Sequence, residues 1–459
     1  MLLALPGPAA GAPGDTVLVF NGENNRLNAY APPPGEADEF PKQTVIPSAL
    51  DDPDNGRDIN AQICFDPSNP RNFIAGEDTG QDEGASEEGG QGWGYFTLSG
   101  DRIGDFGWEQ IGKLETTYSH MAPETTPENY GCGFLSNGTL VTSDVGDQFP
   151  GEPATGQLIL WFPPFDSSGD IAFCKIDTAI PTAGGIHVDD QDRVYVTANR
   201  DAGIPTPPPI GKRAGVYRYS GDWPTGPDAA GGCGQTDDTG APLVDDGRIE
   251  AERFIPGGPT DDLLTPSAIV GSPSGGFYVS SVFDGKIAEF DADGAYVRTI
   301  LEPPGDETAQ LPYSTGTPFG LGIDSNGTLY YADIGVGLGP PPGPEQDEGS
   351  VFRIGFDAGE PLAPEMMDDG LQFPDGIGVL ELAAQPGPTE TPTTSASPSA
   401  TPSTTAAPTP TPTSSVAATG GTTGATSGGA TPETGGGVAA LGVTALATAA
   451  IAARRRSRS

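Results

Sequence analysis

Along most of the chain, apolar positions come in short β-branched or aromatic runs separated by polar turns, without the three-and-four spacing that a helix requires. Between Asp15 and Leu382 the runs recur as a unit: a Gly-rich strand, an Asp or Ser, a tight Asn-Gly-like turn, an aromatic strand, an acidic connection and another strand. The clearest copy is Phe319-Gly-Leu-Gly-Ile-Asp-Ser-Asn-Gly-Thr-Leu-Tyr-Tyr-Ala-Asp333, followed by Ser350-Val-Phe-Arg-Ile-Gly-Phe-Asp357. Other copies lie at Ala61–Asp78, Tyr130–Phe162, Gly184–Tyr219 and Ser267–Asp291, with insertions at 205–213 and 226–246.

A sixth copy is divided between the ends of this region. Val17–Tyr30 supplies a second and third strand without a first, and Asp375–Leu380 supplies a first strand without followers. The pattern predicts an all-β chain: a six-bladed β-propeller over residues 15–385, closed by strands from both ends. Such closure removes the free sheet edges that invite aggregation.

Beyond the repeats the composition changes. Residues 386–430 are Thr, Ser, Pro, Ala and Gly with almost nothing to bury, which predicts a disordered stalk open to O-glycosylation. Residues 431–459 then give Thr431-Pro-Glu-Thr-Gly435, an uncharged stretch at 438–453 and a basic tail at 454–459. An apolar stretch stopped by arginines halts export and predicts a transmembrane helix or a sorting signal. At the other end, Met1-Leu-Leu-Ala-Leu5 and the small residues to position 14 read as a signal-peptide remnant without its basic region, so translation is expected to start further upstream. Together the ends predict an exported chain, held outside the cell by its C-terminus.

Charge narrows the partners. With 63 acidic against 21 basic residues the formal net charge is -42, so phosphate backbones are repelled and nucleic-acid binding is excluded. Gly 68 and Pro 49 together make about a quarter of the chain, in keeping with many turns. Cys64, Cys132, Cys174 and Cys233 form no Cys-x-x-Cys pair; in an exported chain they predict one or two disulfides, with the pairing left open.

Two stretches, Asn21-Gly-Glu-Asn-Asn-Arg26 and Pro374-Asp-Gly-Ile-Gly-Val379, resemble the strand-end signature and opening strand of NHL-repeat six-bladed propellers. Thr431–Gly435 resembles the Leu-Pro-x-Thr-Gly signal of sortase substrates. That resemblance implies cleavage between Thr434 and Gly435 and attachment to the cell wall, although Thr431 stands where that family has Leu. Pro374-Asp375-Gly376 is also similar to the metal-binding aspartate segment of gluconolactonase-like propellers. That family holds one divalent metal on the axis with Glu, Asn and Asp from the starts of first strands. Here the other starts read Ala61, Tyr130, Gly184, Ser267 and Phe319, with Asn60 and Asn129 one residue before two of them.

Asp78, Asp144, Asp201, Asp284 and Asp333 follow second strands, on the face where first strands begin, and would form an acidic rim able to hold a hard cation such as calcium. Asp is also a residue that turns favour for local hydrogen bonds. His187, within a first strand, is the candidate acid–base group, whereas His120 lies in a polar connection. Gly271-Ser-Pro-Ser-Gly275 has Pro where a nucleophile would stand, and Asp291-Ala-Asp-Gly294 lacks the downstream Glu of a calcium loop. The leading expectation is therefore a non-catalytic surface protein that binds a small molecule, a glycan or a protein. The alternative is a metal-dependent lactone or ester hydrolase with Asp375, Asn60 and Asn129 near the metal.

Overall fold

The computed structural model describes residues 16–381 except 23–25, 32–39, 49–51, 53–55, 58, 78–91, 107–128, 146–155, 167–170, 200–212, 229–231, 235–247, 259–260, 304–315, 338–342 and 345–346. The expected signal remnant, stalk, Thr434–Gly435 cleavage site and membrane span lie outside them, as do His120, Asp78 and Asp201. Among the described residues no helix is long and apolar enough to cross a membrane.

The fold is an all-β propeller. Five blades are each built from one continuous stretch of chain and are numbered 1 to 5 in chain order. Their innermost strands are Ile59–Phe65, Asn129–Phe134, Ala183–Val188, Pro266–Gly271 and Pro318–Ile323, and each is followed outward by three antiparallel strands. A further four-stranded sheet joins the two ends of the region: Ile377–Glu381, Thr16–Gly22, Arg26–Tyr30 and Lys42–Ile46, in that order. Phe20 stands opposite Ile377 and Thr16 opposite Glu381, so the divided repeat pairs strand to strand.

Apolar side chains alternate on these strands, so each sheet buries both faces against its neighbours. Phe106 and Trp161 meet at 5.0 Å between blades 1 and 2, and Tyr195 and Phe277 at 4.5 Å between blades 3 and 4. One cluster holds Leu27, Tyr30 and Ile46 of the composite sheet against Phe73 of blade 1 and Val351 of blade 5. Each fully buried ring contributes about 2–3 kcal/mol relative to exposure. The composite sheet is thus seated between the first and last blades.

Close packing of the innermost strands explains their glycines. A Cβ on Gly376 would stand 1.7 Å from the Ala61 carbonyl oxygen, and one on Gly131 would stand 2.4 Å from that of Gly184. Blades 1 to 5 also share an irregularity near the start of the innermost strand. In blade 2 the Ser143 hydroxyl fills it, accepting from the Gly131 amide at 2.7 Å and donating to the Gly184 carbonyl of the next blade at 2.6 Å. Thr197 and Ser280 reach the next blade in the same way, at 2.8 and 2.7 Å.

Two disulfides complete the framework, Cys64–Cys132 and Cys174–Cys233. The first ties the innermost strands of blades 1 and 2. The second ties the outer strand of blade 2 to a connection of blade 3.

Candidate functional site

Chain direction gives the propeller two unlike ends. At one end the innermost strands begin and the second strands finish; Asp375 lies there. At the other the innermost strands finish in tight turns whose Asp carboxylate accepts the amides two and four residues on. Asp189 does so with Gln191 and Arg193, and Asp324 with Asn326 and Thr328. Tyrosines brace these turns: Tyr95 donates to Asp66 at 2.5 Å and Tyr330 to Asp324 at 3.1 Å. The second turn of blade 4 is built alike, since Asp291 accepts from the amides of Asp293 and Ala295.

Strands that end or begin at the Asp375 end flank residues 78–91, 107–128, 146–155, 200–212 and 304–315, which lie outside the described residues and whose sequence includes Asp82, Glu83, Glu87, Glu88, Glu109, Asp147 and Asp306. Connections of this kind carry function more often than the scaffold does.

At this end the axis is filled. Tyr130 starts the innermost strand of blade 2 and Phe319 that of blade 5, on opposite sides of the ring, yet their rings meet edge to face with centroids 4.9 Å apart. The buried Tyr130 hydroxyl donates to the Asp375 carbonyl oxygen at 3.1 Å. Burial, with the Asp375 charge added to it, pushes the Tyr130 phenol well above its ordinary pKa. Phe319 is followed by Phe373 at 6.2 Å, and Phe283 packs into the same cluster with Val282 and Ile334. Deeper along the innermost strand of blade 1, Gln62 reaches to blades 2 and 3: its Oε1 accepts from Cys132 at 3.3 Å and Ile186 at 3.0 Å, and its Nε2 donates to the Ile186 carbonyl at 2.9 Å.

The predicted site residues fall into separate places. Asp375 is buried beside the axis, and Asn60 adjoins it, because Gly376 packs on Ala61; the buried Asn60 Oδ1 has no hydrogen-bond partner. Asn129 is buried, and its amide donates to the Gly92 carbonyl of blade 1 at 2.8 Å. Asp144 turns into its own blade, accepting from Gln157 at 3.4 Å. Nearby, burial pushes the Lys175 amine down to about 7 despite the opposing charge of Asp144. Asp284 accepts from the Ser281 hydroxyl and the Leu264 amide, and Asp333 from the Thr317 amide and hydroxyl and from the Gly335 amide. Burial raises both carboxyls above the usual range.

His187 lies toward the opposite end, between blades 3 and 4, with the rings of Tyr195 and Phe277 about it at 6.0 and 5.9 Å. Burial pushes its imidazole down to about 4 against the pull of Asp189. The fold does not bring it to Asp375.

Of the residues expected near an axial metal, Asn129 donates its amide N–H to blade 1, the buried Asn60 Oδ1 has no hydrogen-bond partner, and the Tyr130 ring lies next to Asp375 against Phe319. Among the described residues no three His, Cys, Asp or Glu side chains converge on one point. The sequence identifies Tyr130 and Phe319 only as strand starts and gives no role to Phe373 or Gln62. The available signal was two large rings at strand starts that elsewhere hold Ala, Gly or Ser.

No family model matches the chain, and no curated protein matches it in sequence. Several solved structures are similar to it. A protein of unknown function from Bacteroides caccae has 11% identity and a TM-score of 0.43, over 80% of this chain and 99% of that one. A gluconolactonase from Xanthomonas campestris has 12% identity and a TM-score of 0.37, over 69% and 82%. Virginiamycin B lyase from Staphylococcus aureus has 10% identity and a TM-score of 0.37, over 76% and 83%.

Proposed function

We propose that this chain is an exported cell-surface propeller that binds a ligand at its Asp375 end without chemical conversion. The composite sheet serves as the sixth blade, residues 386–430 as a stalk, and residues 431–459 as the anchor to membrane or wall. The observation that carries the binding reading is the contact of Tyr130 with Phe319 across the axis. Hydrolysis assisted by a metal needs an ion with an open position on the axis, and the ring contact beside Asp375 supports an apolar floor there instead. A floor of this kind suits recognition.

Two experiments test the reading. Deleting residues 431–459 should release a folded propeller into the medium; continued cell association of the truncated protein overturns the anchoring. Incubating the full chain with a panel of simple lactones and aryl esters should give no turnover above buffer. Hydrolysis that Asp375→Ala abolishes overturns the non-catalytic reading.

A further inference from the structure

The ligand class can be narrowed if the Asp375 end is the binding face, a premise carried over from the reading above. Three rings, from the innermost strands of blades 2 and 5 and from the connection into the composite sheet, form a continuous chain there, Tyr130 to Phe319 at 4.9 Å and Phe319 to Phe373 at 6.2 Å. Tyr130 is buried, but Phe319, Phe373 and the neighbouring Phe283 are half-buried, so part of each ring reaches solvent. Phe373 holds its place with a φ of 50°, uncommon for a bulky side chain, and Pro374 after it is wedged on Gly349, where a Cβ would stand 2.3 Å from the proline ring. The backbone therefore turns sharply where it delivers this ring to the cluster.

Electrostatics then separates the possible ligands. The Asp375 charge acts on Tyr130 and the chain carries -42, so an anion is repelled. A neutral sugar is held by polar side chains with hydrogen bonds to offer. Three of the polar groups here already serve backbone, with Asn129 bound to Gly92, Asp284 to Leu264 and Asp333 to Thr317 and Gly335, and the Asn60 Oδ1 is a buried acceptor. A cation asks for neither. It gains from ring faces and from negative potential together, and an apolar body beside the charge covers the remaining ring surface.

We infer that the Tyr130–Phe319–Phe373 mouth binds an organic cation, an ammonium or guanidinium group carried on an apolar body. A quaternary ammonium is the cleanest probe because it cannot donate a conventional N–H hydrogen bond.

The test is calorimetric titration of the full chain with benzyltrimethylammonium, with benzyl alcohol as the neutral counterpart and a free hexose as a third probe. The cation should bind saturably, should weaken as salt is raised, and should lose roughly tenfold in affinity in Phe373→Leu, which keeps the apolar packing but removes the ring. Asp375→Asn, with thermal unfolding measured to show that it folds, should weaken the cation and leave benzyl alcohol unaffected. Equal affinity for cation and alcohol, or cation binding insensitive to both substitutions, overturns the inference. Hexose binding that depends on Phe373 overturns the cation assignment while leaving the mouth as the binding face. Absence of binding by all three probes overturns the cation inference, whereas the anchor and turnover experiments judge the wider reading independently.

Discussion

Gln62 and Ile186, on the innermost strands of blades 1 and 3, exchange two hydrogen bonds of 3.0 and 2.9 Å, although blade 2 stands between them. A glutamine side chain here does what a neighbouring strand does elsewhere, satisfying both backbone groups of one residue. It also accepts from Cys132 of blade 2. Gln62→Leu leaves these groups without partners, and at about 1–3 kcal/mol per orphaned buried group the expected loss of stability is about 3 kcal/mol. Urea unfolding should show it as a lower midpoint with an unchanged slope, while Gln191→Leu, in an exposed turn, should behave as the parent.

Both disulfides link successive blades, across 68 and 59 residues of chain. Loop closure of that length constrains the unfolded chain by about 4 kcal/mol for each bond. Non-reducing peptide mapping should recover Cys64 with Cys132 and Cys174 with Cys233, and reduction should lower the unfolding temperature. Any other pairing contradicts the placement of blades 1 to 3.

His187 sets a pH dependence of definite sign. Its folded pKa of about 4 lies below the ordinary histidine value of 6.5, so the unfolded chain binds the proton more tightly. Stability from this group is present above pH 6.5 and is lost as the pH falls through the window to about 4. The His187 ring signals, assigned by their absence in His187→Gln, should stay those of a neutral imidazole at pH 6. Titration near 6.5 contradicts the burial of this ring between blades 3 and 4.

The composite sheet makes the two ends of the propeller interdependent. Beyond the pairing of Thr16–Gly22 with Ile377–Glu381, Asp368 of blade 5 accepts from the Tyr30 hydroxyl and from Lys42 at 2.8 Å, and Arg353 lies over the Phe40 ring at 4.6 Å. Deleting residues 1–25 should yield aggregated or protease-sensitive protein, whereas deleting 386–459 should leave cooperative unfolding intact. Asp368→Ala should fall between, with a modest drop in unfolding temperature, because Lys42 is partly exposed and its ion pair is weak.

Much of this architecture was legible because strand patterning is local. Phe319–Asp333 reads as two strands and a turn from its alternation alone, and Val17–Tyr30 with Asp375–Leu380 reads as one divided unit because each lacks what the other has. Outer strands such as Tyr296–Leu301, with Tyr296 and Val297 exposed, carry a weaker pattern. The candidate site was less legible, because side-chain direction at a strand end is decided by the neighbouring blade. Asp144, Asp284 and Asp333 follow second strands, and their carboxylates turn to Gln157, Ser281 and Thr317 within their own blades. Gln62 was visible only as a polar residue in an apolar run, and nothing in its neighbours reveals a partner 124 residues away.

A floor of aromatic rings at the Asp375 mouth is the central claim of the proposed function. Metal analysis of the full chain after equilibration with calcium and removal of free ion tests this most directly, run in parallel on Asp375→Ala. The account predicts no ion retained in proportion to protein through Asp375, and the same result for both chains. One divalent ion per chain, lost on Asp375→Ala, contradicts it.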